Sequence, residues 1–125
     1  MTHTGILLFA HGARDPAWSR PFEAAARALK AQAPEQHVAL AFLEFMAPTL
    51  LEAGAQLAQE GCQSVTVVPL FLGAGGHVRK DLPRLMDELA QAHPGVAWRL
   101  SPAVGETDIL IEALATSALS LARAN

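Results

Sequence analysis

Two histidines close apolar runs at glycine-containing turns. His11 follows Ile6-Leu7-Leu8-Phe9-Ala10 and precedes Gly12-Ala13-Arg14-Asp15; His77 follows Leu70-Phe71-Leu72 and the stretch Gly73-Ala74-Gly75-Gly76. A neutral imidazole suits Co, Ni, Fe and Zn, and it accepts a proton near neutral pH. Glu44 stands in a third apolar run, Phe42-Leu43-Glu44-Phe45-Met46-Ala47-Pro48. A carboxylate among such neighbours is costly to bury without a partner. If these runs are strands of one open α/β sheet, His11, Glu44 and His77 reach the edge where such sheets bind ligands. Two imidazoles and a carboxylate then hold a transition metal with positions left open for a substrate.

Arg14, Arg79 and Lys80 lie beside the histidines, where they could pair with substrate carboxylates, Arg in a two-pronged contact. Gly75 and Gly76 allow a flat ligand to approach the backbone. Each residue alone has a plainer reading. His11 could bond a loop carbonyl, His77 could cap a helix, and Glu44 could lie on an exposed edge. His93 falls in the last turn of a helix, where a cation suits the dipole, and is read as structural. His3 lies near the terminus and His37 in a loop. Cys62 reads as a small packed residue, and Trp18, Phe22 and Trp98 as core.

Strand and helix signals alternate along the chain. Gly5 to Ala10 is a continuous apolar run, as in a strand covered on both faces. Asp15-Pro16 reads as an N-cap and first helical position, and Trp18, Phe22, Ala25, Ala26 and Leu29 predict a helix to about Ala33. Val38 to Phe45 reads as the second strand. Pro48 then opens a helix that Gly61 closes. Ser64 to Leu70 is the third strand. Asp81 reads as the N-cap of a helix carrying Leu82, Leu85, Met86 and Leu89. Val96 to Leu100 is the fourth strand. The last helix, Glu106 to about Ala122, has apolar residues round much of its cylinder, as in a helix packed on two sides. The expected fold is a single α/β domain over residues 1–125, with a four-stranded parallel sheet and helices on both faces.

A chain of 125 residues can bury a core without staples. Its mean hydropathy of +0.24 is high for a small monomer and points to a second buried surface. The net charge of −3, with no basic run, argues against nucleic acid. There is no apolar span of membrane length, and the single cysteine suits a reducing cytosol. A cytoplasmic protein without a membrane partner is expected.

Three segments together resemble the class II tetrapyrrole chelatases, in particular the short form of sirohydrochlorin chelatase. They are His11-Gly12-Ala13-Arg14, Glu44 with Pro48, and Gly75-Gly76-His77-Val78-Arg79-Lys80-Asp81-Leu82-Pro83. The likeness covers nearly the whole chain in order and spacing. It implies insertion of Co²⁺, Fe²⁺ or Ni²⁺ into a sirohydrochlorin-type macrocycle, with the metal as substrate and no permanently bound cofactor. His11, His77 and Glu44 would hold the metal or take the pyrrole protons. Arg14, Gly75, Gly76, Arg79 and Lys80 would meet the tetrapyrrole. Longer members carry two such halves in one chain, so a short member implies a homodimer. Two features depart from the family pattern: Ala13 stands where Ser is usual, and the His-rich segment of some short members is missing.

Other classes fit less well. A histidine phosphatase needs Arg directly before the His, where this chain has Ala10. An α/β-hydrolase needs Gly-x-Ser-x-Gly, which does not occur. A metal or tetrapyrrole carrier using the same histidines is the remaining alternative.

Overall fold

Four strands form the sheet: β1 (Thr4–Ala10), β2 (His37–Phe42), β3 (Ser64–Pro69) and β4 (Ala97–Leu100); β1 is buried on both faces along most of its length, and β3 buries alternate residues. They are all parallel, in the order β2-β1-β3-β4. This computed structural model describes residues 3–73 and 75–124, and for Gly76 and His77 the backbone alone. Helices α1 (Arg20–Gln32), α2 (Leu50–Gln59), α3 (Gly76–Ala92) and α4 (Asp108–Arg123) follow the strands in turn. The four-stranded parallel sheet expected from the sequence is therefore the observed one.

The core lies on one face of the sheet. Leu7, Phe9, Ala41, Val65 and Val67 meet Leu50, Ala53 and Leu57 of α2 and Val78, Leu82 and Leu89 of α3. Right-handed crossovers from the strand order place α1 on the opposite face. Cys62 is buried and packed, and burial pushes its thiol pKa up, as for an inert core cysteine.

Several element boundaries differ from expectation. β2 ends at Phe42 rather than Phe45, because Phe45 has φ 67 and turns the chain out of the sheet. The second helix starts at Leu50, not Pro48, with Thr49 and Glu52 forming a reciprocal capping box. The third helix starts at Gly76, a turn before Asp81. Val78 extends the buried stripe of Leu82 and Leu89 by one turn, and exposed Pro83 is tolerated inside the helix. Asp15 caps as expected, accepting the Ala17 N–H at 2.9 Å, though the first turn is a 3₁₀ helix over Pro16–Ser19.

The face opposite the core is thinly covered. No residue of α1 is fully buried; Trp18 and Phe22 stack on each other at 4.6 Å and are half-buried, not core. Helix α4 also buries none of its residues and packs chiefly against a 3₁₀ helix at Val104–Glu106. Ile109 is 83% exposed and Leu121 76%. The expected two-sided packing of this helix does not occur within one chain: the stripe faces solvent. Among the described residues no helix is long and apolar enough to cross a membrane.

At the amino-terminal edge, His37 Nδ1 lies 2.8 Å from Glu60 Oε1. Hydrogen bonds from Gln56 and His37 hold the Glu60 carboxyl below its ordinary 4.5. With the folded pKa below the unfolded one, this contribution is present above the unfolded value and is lost as pH falls through the folded one. The group is well solvated, so the effect is about 0.5 kcal/mol or less. Glu60→Gln should remove that part of the acid-side loss, read by urea denaturation at neutral pH and below the carboxylate range.

Candidate active site at the carboxyl edge of the sheet

The strands end level with one another. Ala10 pairs with Phe42, and Phe9 with Pro69, so the residues that follow emerge along one edge. Backbone pairing continues beyond β2: Leu43 N–H donates to the Ala10 carbonyl at 2.9 Å and Glu44 N–H to the His11 carbonyl at 3.1 Å. Phe42 N–H bonds the Pro48 carbonyl at 2.9 Å and closes the loop between β2 and α2. Gly12 has φ +94, and a Cβ there would run into the Glu44 carbonyl. Only glycine meets both demands, so the loops after β1 and β2 lie in backbone contact.

This contact sets the side chains. His11 Nε2 stands 3.3 Å from Glu44 Oε1, and each side chain is 47% exposed. Glu44 is thus solvated on one side and paired on the other, and it carries no burial penalty. The His11 ring meets buried Phe71 edge-on, with centroids 6.0 Å apart. Two ligands each about 2.1 Å from one metal ion lie about 3.0–3.4 Å apart for octahedral to tetrahedral angles. The His11–Glu44 spacing falls within that range. The same pair can also pass a proton from imidazole to carboxylate.

His77 lies in the first turn of α3, after β3, which pairs with β1. Its segment therefore comes to the same edge, but its side chain is outside the described residues. Among the described residues no three His, Cys, Asp or Glu side chains cluster as a metal site. Gly75 is the N-cap of α3 and Gly76 its first residue. No atom lies within 4 Å of where a Cβ on Gly75 would point, so packing does not demand a glycine there. Arg79 and Lys80 are exposed on the first turns of α3. Asp81, expected as a cap, instead lies 3.6 Å from Arg84 within the helix.

Arg14, three residues after His11, is drawn to the residue that follows Glu44. Its guanidinium sits 4.8 Å from the centroid of the Phe45 ring. Sequence reasoning missed Phe45, because reading β2 through to that residue made it one more strand position. A cavity of about 500 Å³ lies on the outer side of this loop, lined by Leu40, Phe42, Met46 and Pro48 among others. It includes neither His11 nor Glu44, and its one carboxylate, Glu23, accepts a hydrogen bond from Ser19.

The profile of the CbiX family matches residues 5–120. The chain belongs to the CbiX family. A sirohydrochlorin cobaltochelatase of Sulfurisphaera tokodaii is 30% identical over 110 residues, 88% of this chain and 87% of that one. Another, from Saccharolobus solfataricus, is 39% identical over 82 residues, 66% of this chain but 62% of that protein's length. A crystal structure of a cobalamin (vitamin B12) biosynthesis CbiX protein from Marinobacter aquaeolei has a TM-score of 0.83 at 34% identity, covering 97% of this chain and 99% of that one. The sirohydrochlorin chelatase SirB of Bacillus subtilis subspecies spizizenii, solved with cobalt, shares the fold with a TM-score of 0.83 at 22% identity. This chain spans 51% of it.

Gly12→Ala tests the contact that builds the pair in this CbiX protein. The left-handed φ and the collision with Glu44 should together lower stability by about 2 kcal/mol. Chemical denaturation reads that loss, and a wild-type midpoint would show that the loops are not in forced contact.

Proposed function

We propose that this CbiX protein inserts a divalent metal ion, Co²⁺, Fe²⁺ or Ni²⁺, into sirohydrochlorin or a related tetrapyrrole, in cobalamin- or sirohaem-type cofactor synthesis in the cytoplasm. The observation that carries this reading is the His11–Glu44 pair, 3.3 Å apart on the open edge of a CbiX fold. Relatives named as sirohydrochlorin cobaltochelatases support the substrate class.

The chemistry asks for little machinery. Two pyrrole N–H bonds break, two protons leave, and the ion exchanges its other ligands for ring nitrogens. His11 and Glu44 take two adjacent positions on the incoming metal, and His77 is the third ligand. As the ion passes to the macrocycle, the freed imidazole and carboxylate accept the pyrrole protons and release them to solvent. Arg14, Arg79 and Lys80 meet the substrate carboxylates, and the Gly75-Gly76 backbone meets the macrocycle. The metal is a substrate, and the cycle uses no bound cofactor and no nucleotide.

The active form is a homodimer. The exposed stripe of α4 and the thin cover over the second sheet face both call for another surface, and SirB carries about twice this length in one chain. Light scattering should give twice the chain mass. Ile111→Glu with Leu114→Glu should give a folded monomer; a wild-type monomer at micromolar concentration would contradict the dimer.

Catalysis is tested by an anaerobic absorbance time course with sirohydrochlorin and each metal in turn, against metal-only controls. Many turnovers per site are expected, and His11→Ala or His77→Ala should slow them by about 100-fold or more with little change in unfolding temperature. Saturation at one equivalent per site would favour the carrier.

A further inference from the structure

We infer that Phe45 positions the substrate of the proposed chelatase: its ring lies against a face of the macrocycle at the rim of the site and keeps the Arg14 guanidinium aimed at a macrocycle carboxylate. The inference rests on the chelatase reading, and three observations support it.

Phe45 directly follows Glu44, whose carboxylate is 3.3 Å from His11. It is therefore the next residue in the chain beside anything bound over that pair. The residue is 56% exposed and has φ 67, a conformation that glycine adopts freely and a side chain with a Cβ adopts at a cost. Neither core packing nor turn geometry calls for phenylalanine at this position. The ring does hold Arg14, with the guanidinium 4.8 Å from its centroid. A cation over an aromatic face is attracted to it and loses freedom, so its donors present one edge outward.

The opposite side of the site has a matching feature. Leu72, after β3, is 68% exposed. Gly105 fixes it, donating its N–H to the Phe71 carbonyl at 2.9 Å and lying so close to the Leu72 carbonyl that a Cβ would collide. Strand β1 lies between β2 and β3, so His11 has an apolar side chain on either hand and a guanidinium beside one of them. A flat conjugated ring with carboxylates on its periphery is complementary to that arrangement: apolar across its face and anionic at its rim.

The test is steady-state kinetics with sirohydrochlorin and Co²⁺ on Phe45→Ala, Phe45→Leu, Phe45→Gly, Arg14→Ala and the Arg14→Ala/Phe45→Ala pair. Phe45→Ala should raise KM for the macrocycle by about tenfold, with kcat changed less than about twofold and KM for Co²⁺ unaltered. Phe45→Leu should restore part of the loss. Phe45→Gly relieves the left-handed strain, so it should unfold no earlier than Phe45→Ala while keeping the raised KM. The double variant should lose less than the product of the single effects, because the two residues act together. A wild-type KM in Phe45→Ala, or fully multiplicative losses, would overturn the inference. If wild type binds sirohydrochlorin without turnover, the chelatase reading fails, and the ratio of binding constants for the same variants still decides the role of Phe45. If wild type binds no sirohydrochlorin, both readings are overturned.

Discussion

The backbone hydrogen bond from Glu44 to the His11 carbonyl is the contact on which the site depends. It extends sheet pairing past the end of β2 and into a loop. Gly12 permits it by leaving room for the Glu44 carbonyl, and Phe45 then turns the chain with φ 67. The result is an imidazole and a carboxylate at ligand spacing on the rim of a rigid sheet. Side chains held by backbone pairing are placed more accurately than those on free loops, which suits a site that must bind an ion and then release it.

Handing over a metal sets opposing demands. The ligands must be fixed well enough to capture the ion and open enough to lose it to a stronger chelator. In the proposed handover, the half exposure of His11 and Glu44 suits both. Buried Phe71 supports the imidazole from one side, so its motion is restricted without being enclosed. The thin cover over the second sheet face follows from the same architecture. One chain supplies one edge, and α4 leaves its apolar stripe free instead of completing its own domain.

The sequence made the order of strands and helices legible because β1, buried on both faces along most of its length, leaves an unbroken apolar run, and β3 is rich in β-branched residues that bury at alternate positions. His11 and Glu44 were legible as candidate residues for one edge because they interrupt apolar stretches at strand ends, and the structure brings them within 3.3 Å of each other. Two features were not. The end of β2 was hidden because Leu43 and Phe45 continue its apolar character, while a left-handed φ at phenylalanine has no residue-type signature. The start of α3 was misplaced because Asp81 resembles a cap, whereas buried Val78 carries the helix one turn earlier. The extent of α4's exposure was less legible: apolar residues round the cylinder and a high mean hydropathy pointed to a second buried surface, but not to a helix with none of its residues buried in its own chain.

The most direct measurement is the anomalous scattering of cobalt in crystals of the protein soaked with Co²⁺. The account predicts a cobalt ion about 2.1 Å from both His11 Nε2 and a Glu44 carboxylate oxygen. Cobalt bound elsewhere, with that pair still in mutual contact and free of metal, would contradict it.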